Sequence, residues 1–216
     1  MSSRQRIGIV VVAMIVGVAA AGAYVGARWW HQRAPYDPAV LAASATLEFV
    51  TYDVAQAAMD EGIHAAVPQP GRQHVLGRVT WRKPPKPLAG GWFEILVIDQ
   101  RTHTKPVSFS VSSPRVDAVS IGSDFVLYDV ERKYAWLRGA GPIQVGDSWR
   151  DNGDSLSVSD EAASPVTFVA LFPVAPEHSP PGGLGWATAP VAVSDLLVAM
   201  VHIGPDRQVY WAQRLL

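Results

Sequence analysis

Cysteine is missing from all 216 residues of the chain, and several kinds of chemistry are missing with it. Without thiols the protein has no disulfide, no thiol nucleophile and no thiolate ligand for a metal. An excess of charge is also lacking, because 18 Lys and Arg stand against 19 Asp and Glu. A basic excess is the usual electrostatic signature of nucleic-acid binding. We therefore expect no nucleic acid among the partners.

The short motifs of common catalytic and metal sites are absent from the sequence. It contains no G-x-S-x-G elbow, no H-E-x-x-H motif and no Gly-rich phosphate loop. The six histidines have none of the close spacings that build a metal face, and we interpret each as a surface residue. Residues 147–154 hold three aspartates but lack the order of a calcium loop, and they predict a polar hairpin loop. We expect no catalytic residue, no metal site and no cofactor.

The longest apolar run lies near the N-terminus. Residues 7–27 carry no charge and are flanked by arginines before the run and by an Arg-Trp-Trp boundary after it. A membrane-spanning helix needs about 20 apolar residues, and Trp and Arg are typical of the membrane interface. The sequence therefore predicts an uncleaved signal-anchor that crosses the membrane once. The alternative is a signal peptide cleaved at Ala21-Gly22-Ala23.

The predicted anchor divides the chain into four parts. We expect a cytoplasmic tail at 1–6, the transmembrane helix at 7–27, a juxtamembrane linker at 28–37 and one domain at 38–216. Long domains translocate largely regardless of charge, so the domain is expected on the extracytoplasmic side, periplasmic or extracellular. Gly22 and Gly26 are four residues apart, a spacing that lets two membrane helices approach closely and predicts a homodimer. The alternative is that small residues are common in such helices.

The segment after the linker predicts one long helix. Asp37-Pro38 is typical of a helix start, and Gly62 is typical of a helix end. Between them, apolar residues repeat at spacings of three and four: Val40, Ala43, Leu47, Val50, Val54 and Ala57. This narrow stripe either packs on the sheet of the domain or forms a juxtamembrane coiled-coil seam.

From residue 75 onward the pattern changes to β. Apolar and polar residues alternate in 75–82 and 107–112, whereas 92–98 and 166–172 are the continuous apolar runs of buried strands. Residues 196–203 and 208–216, on either side of Gly204-Pro205, predict a C-terminal hairpin; a helix from Ser194 is the alternative for its first arm. Glu94 interrupts one apolar run, and we expect it to face an edge or to pair with an arginine. The predicted fold class is α+β: a single N-terminal transmembrane helix followed by one long helix packed on a mainly antiparallel β-sheet.

The loop 173–190 is rich in Pro and Gly and exceeds the usual connection length. It carries Trp186, which predicts an interface anchor if the side chain is exposed and a tether for the loop if it is not. The candidate interaction residues from the sequence are Gly22, Gly26, Leu47, Val50, Val54 and Trp186.

The layout of short tail, anchor, helix and sheet resembles the inner-membrane scaffold proteins of type IV secretion and conjugation machines. No motif carries this resemblance. It implies a membrane-anchored, non-enzymatic scaffold in a larger envelope complex, with the lipid bilayer and other membrane or envelope proteins as partners. The sequence also fits an extracytoplasmic binding module for a small ligand, lipid or glycan, in a groove between helix and sheet. A third hypothesis is an enzyme with a dispersed site, which requires clustered titratable groups in a cleft.

Overall fold

The computed structural model divides the chain into two compact units, Met1–Ala34 and Pro35–Leu216. It describes residue 14 and residues 16–27, 33–59, 63–64, 72–112, 118–122, 127, 130–150, 152–162, 164–173 and 190–216. In the first unit, residues 16–27 are helical. The second unit is built on two five-stranded antiparallel sheets.

The predicted membrane anchor is wrong. Among the residues that the structure describes, no helix is long and apolar enough to cross a membrane. The described helix of the first unit comprises residues 14 and 16–27. Residues 1–13, 15 and 28–32, which hold the rest of the predicted tail, span and interface, lie outside the described residues. The single-pass, signal-anchor and extracytoplasmic predictions depended on that span and are corrected with it.

The predicted α+β fold with one long helix is also wrong, because most of the described regular structure is β. The segment that was expected to be helical from 38 to 61 forms three elements instead. They are a 3₁₀ turn at Pro38–Leu41, strand β1 at Ser44–Val50 and helix α1 at Tyr52–Met59.

The first turn of this segment begins as the sequence predicts and then stops. The Asp37 carboxylate accepts a hydrogen bond of 2.8 Å from the Ala39 amide, as expected of a helix-capping residue. Ala42 follows with a φ of 45°, which is left-handed and ends the turn. The next residues include Thr46, Phe49 and Val50, whose β-branched and aromatic side chains favour a strand.

The first sheet has the strand order β1-β3-β10-β5-β2, and every neighbouring pair is antiparallel. Its other strands are β2 at Ile63–His64, β3 at Arg72–Thr80, β5 at Ser108–Ser112 and β10 at Val166–Pro173. One face of this sheet is partly covered by α1, whose Ala55 and Met59 pack on Val169 and Leu171. β1 is an edge strand, because β3 is its partner on one side and no described strand pairs with the other.

The second sheet has the strand order β12-β11-β4-β9-β6 and is antiparallel throughout. Its strands are β4 at Trp92–Asp99, β6 at Val119–Gly122, β9 at Ser155–Ser159, β11 at Leu196–Ile203 and β12 at Val209–Arg214. A small hairpin pairs β7 at Ile143–Val145 with β8 at Ser148–Arg150, and the short helix α2 lies at Val130–Lys133. All eight residues of β11 are buried, so this strand is covered on both faces.

Two apolar layers cover the centre of the second sheet. Leu127, Val130 and Leu137 pack on the face that carries Leu96 and Ile98. The opposite face carries Phe93, whose ring meets that of Trp81, the residue that follows β3 of the first sheet. Burial of this many aliphatic and aromatic side chains supplies the main driving force for folding, at roughly 25 cal/mol per Å² of apolar surface.

Several sequence-based strand predictions are confirmed in position. The C-terminal hairpin is present as β11 and β12, and the alternative of a helix from Ser194 is limited to a 3₁₀ turn at Val193–Asp195. The continuous apolar run at 92–98 is β4, the middle strand of its sheet. The stretch expected to be a polar hairpin loop at 147–154 instead contains β8. Strand β9 follows it, and Ser155–Ser159 alternates between the two faces of the second sheet.

Candidate functional site

Three of the predicted interaction residues lie close together, although not on one helix. Leu47 and Val50 belong to β1, and Val54 belongs to α1. We use the term β1 surface for the exposed part of this region, which comprises Thr46, Glu48, Phe49, Tyr52 and Val54.

Leu47 and Val50 are half-buried and point to opposite faces of the first sheet. Leu47 pairs with Gly77 across β1 and β3, and Gly77 pairs with Phe168 across β3 and β10. Val50 packs instead with the cluster beneath α1. Both side chains therefore hold β1 in place, and their role in an interaction would be indirect.

The C-terminal end of the β1 surface exposes apolar side chains to solvent. Phe49, Tyr52 and Val54 are 37%, 37% and 48% exposed. Three large exposed apolar side chains lie within six residues and form what we call the apolar patch: Phe49 is on the face of β1 that carries Leu47, and Tyr52 and Val54 are in the first turn of α1. Clustered exposed apolar side chains mark interaction sites more often than single ones do. Val54 is the most exposed of these three side chains.

A concavity on the α1-side face of the first sheet adjoins this patch. It has a volume of about 380 Å³, and its lining includes Thr46, Glu48, Arg78 and Thr167. Thr46, Arg78 and Thr167 are direct cross-strand neighbours on β1, β3 and β10. The concavity thus offers hydroxyl groups, one guanidinium and one carboxylate beside an open strand edge.

His74 lies under the same patch. Its ring meets the ring of Tyr52 edge-on, with centroids 6.0 Å apart, and its side chain is buried. Burial lowers the pKa of His74 below its usual value, because the charged imidazolium is poorly solvated there. The interpretation of every histidine as a surface residue is therefore wrong for His74.

The remaining predicted interaction residues belong to other segments of the chain. Gly22 and Gly26 lie in the helix of the first unit, where an added methyl group would have no described neighbour within 4 Å outside the helix's own backbone. Trp186 and residues 174–189 as a whole lie outside the described residues. The homodimer prediction at Gly22 and Gly26 stays a prediction.

Sequence reasoning missed a buried pair of titratable residues. His202 Nε2 lies 3.1 Å from Asp160 Oδ2, and both side chains are completely buried. The Asp160 carboxylate also accepts the Leu88 amide hydrogen through both of its oxygens, at 2.9 Å each. This arrangement calls for the imidazole proton on Nε2, so that it can be donated to the carboxylate.

Aromatic rings surround the imidazole. Phe93, Tyr210 and Trp211 contact the His202 ring at centroid distances of 5.1 to 5.6 Å. Tyr36 stacks on it at 5.3 Å and places its hydroxyl 3.5 Å from Nε2. Burial, followed by the negative charge of Asp160, raises the pKa of the Tyr36 hydroxyl, so that group stays protonated. Within the described part of the chain, His202 Nδ1 has no hydrogen-bond partner.

This buried cluster contains side chains that are common in acid–base sites, but the imidazole and the carboxylate are not accessible to a substrate. The His202 and Asp160 side chains are fully shielded from solvent, and a general base must reach the substrate proton that it takes. The local sequence gives little indication of this pair, because His202 lies within an apolar strand and 42 residues separate it from Asp160. The histidine within the apolar run of β11 was the clue available, because a buried imidazole requires a polar partner.

Glu94 is placed differently from its prediction. It lies on the central strand β4, not at an edge, and it is completely buried. Trp92 Nε1 donates a 2.8 Å hydrogen bond to Glu94 Oε1, and Ser157 Oγ donates to the same oxygen. An indole and a hydroxyl therefore donate hydrogen bonds to this carboxylate.

Searches of protein families, of curated proteins and of solved structures each found no match for this chain. Among the residues that the structure describes, no group of three or more His, Asp or Glu side chains is placed to hold a metal ion.

Proposed function

We propose that the chain is a non-enzymatic assembly protein that binds a partner protein through the β1 surface. The observation that carries this proposal is the exposed apolar patch of Phe49, Tyr52 and Val54 beside a strand edge with which no described strand pairs. An edge strand offers unpaired backbone groups to an incoming strand. The proposed partner segment is extended and adds to the first sheet beyond β1.

Backbone pairing and side-chain contacts would act together in such a complex. The backbone groups of β1 that point away from β3 supply hydrogen bonds that do not depend on partner sequence. Side chains supply selectivity, because the apolar patch lies at the C-terminal end of β1 and the concavity lined by Thr46, Glu48 and Arg78 lies beside the middle of the strand. The partner segment is expected to carry apolar residues at one end and polar residues at the other.

Site-directed photo-cross-linking tests the proposal. A photoreactive phenylalanine analogue replaces Val54 in the full chain, expressed in its natural host, and cross-linked products are identified by mass spectrometry. The matched control carries the analogue at Trp136, a 39% exposed aromatic residue that follows α2 on the other sheet. We expect a discrete adduct from position 54 and none from position 136.

A second substitution assigns the adduct to the patch. Phe49→Asp places a charge in the apolar area and is expected to abolish the adduct from position 54 while the melting temperature of the isolated protein changes little. Failure to obtain an adduct at 54, or the same adduct from both positions, would refute binding at the β1 surface. The mass of the adduct distinguishes another protein from a second copy of this chain.

A further inference from the structure

A second concavity lies on the other sheet, and its lining is neutral. It has a volume of about 380 Å³ and is bounded by Trp92, by three serines at 120, 157 and 159, and by the Gly90-Gly91 turn. We call it the serine groove. Its volume lies at the low end of the range for ligand pockets, roughly 300–1,000 Å³.

Strand register brings the hydroxyl groups of the serine groove together. Ser120 pairs with Ser157 across β6 and β9, and Ser157 pairs with Glu94 across β9 and β4. Ser159 pairs with Trp92 one step along the same strands. Because alternate residues of a strand share a face, the serines of β9 point to the side that carries Trp92.

The floor of the groove is held by the buried Glu94 carboxylate. It accepts hydrogen bonds from Ser157 Oγ and from the indole of Trp92, so both groups are oriented before any ligand arrives. Ser157 donates its proton downward and keeps acceptor lone pairs for a ligand. Such prior orientation reduces the entropy that is lost on binding.

The rim of the groove is fixed by the buried pair of Asp160 and His202. The Asp160 amide donates to the Gly91 carbonyl at 3.1 Å, and its carboxylate accepts the Leu88 amide. The turn that borders the groove is therefore tied to the interior of the second sheet. The buried pair therefore holds in place the turn that borders the groove.

We propose that the serine groove binds a neutral sugar. No charged side chain is among its described lining residues, so a charged ligand would find no counter-charge there. A lipid chain would cover the Ser120 hydroxyl and the remaining hydrogen-bonding positions of Ser157 and Ser159 without giving them partners, which is costly. A sugar ring matches the lining, because its hydroxyl groups exchange hydrogen bonds with serines while its C–H face lies on the half-buried indole.

Saturation-transfer NMR and calorimetry on the full chain test this proposal. The probes are glucose, galactose, mannose and N-acetylglucosamine. We expect at least one to bind with a millimolar Kd. Ser120→Ala, which removes one exposed hydroxyl, is expected to weaken that binding about 3- to 10-fold, the effect of one hydrogen bond.

A blocking variant completes the test. Ser120→Trp fills the groove and is expected to abolish sugar binding, whereas Ser148→Trp adds an indole at an exposed position of the β7–β8 hairpin and is expected to leave it unchanged. Both positions are exposed, so circular dichroism should show an unaltered fold. Absence of binding by all four sugars, or binding that persists in Ser120→Trp, would overturn the proposal.

Discussion

His202 Nε2 lies 3.1 Å from Asp160 Oδ2, and neither side chain has any contact with solvent. Polar groups in such a place depend on each other, because removal of one leaves the other buried without its partner. The pair also ties β11 to the turn that borders the serine groove, through the Asp160 bonds to Leu88 and Gly91.

Replacement of His202 by Leu is expected to destabilise the protein by about 3–5 kcal/mol, the usual effect of breaking a buried pair. Asp160 would keep its amide hydrogen bond but lose the imidazole, so its buried charge would be poorly compensated. Urea unfolding followed by tryptophan fluorescence measures the change. Glu161→Gln is the control, because it removes a carboxylate at the neighbouring, exposed position. If His202→Leu were as stable as the parent chain, the pair would contribute nothing to folding.

Gly77 leaves room for the ring of Phe168, and we predict that Gly77→Ala is destabilising. A methyl group there would overlap the Phe168 ring and would lie 2.9 Å from Leu47 Cδ2. Overpacking of this kind costs about 1–3 kcal/mol, since the neighbours must leave their preferred rotamers. Thermal or urea unfolding gives the value.

Gly122→Ala is the matched control for that substitution. Gly122 is also a strand residue, on β6, but an added methyl group there would meet no described residue within 4 Å beyond its chain neighbours. An alanine in a strand restricts the unfolded chain more than glycine does, so Gly122→Ala should be neutral or slightly stabilising. Equal losses in both variants would show that the close approach of Phe168 is not the cause.

The fold was predictable where the signal was local or periodic over one element. Gly204-Pro205 lies between two apolar runs and indicated the C-terminal hairpin, and the unbroken run at 92–98 indicated a central strand. The prediction of a helix around Leu47 and Val50 was wrong, because residues three apart share a face in a helix but lie on opposite faces of a strand. The structure shows the latter arrangement, with Leu47 over Gly77 and Val50 under α1.

The candidate sites were harder to predict than the fold. The serine groove depends on a register that pairs Ser120 with Ser157, and the buried pair joins residues on different elements. Neither relationship leaves a motif, since sheet register is set by the whole hydrophobic pattern and not by adjacent residues. Val54 was selected from the sequence for a helical stripe, and it is exposed for another reason: α1 packs through Ala55 and Met59.

Substitution of Asn152, which lies outside the proposed sites, is expected to destabilise the protein. Its amide nitrogen donates to the carbonyls of His103 and Gly139, at 2.7 and 2.9 Å, and so joins two loops. Asn152→Ala would leave two carbonyls without this donor and should cost about 2–3 kcal/mol. Asn152→Asp keeps the shape but turns an acceptor toward both carbonyls, so it should cost more. Urea unfolding curves give the free energy of unfolding of both variants. A smaller loss of stability in Asn152→Asp than in Asn152→Ala would contradict this account.

The acid stability of the protein should depend on His74. Burial lowers its pKa in the folded state below the value of about 6.5 expected in the unfolded chain. As pH falls below about 6.5 the unfolded chain takes up a proton that the folded chain resists, so the free energy of unfolding decreases. His74→Phe keeps an aromatic ring against Tyr52 and removes this titration, so its stability should fall less steeply than that of the parent chain between pH 6.5 and 5. Urea unfolding at a series of pH values measures the difference, and pH 8, where His74 is neutral in both states, gives the reference for each chain. Parallel curves for the two chains below pH 6.5 would show that His74 does not carry the dependence.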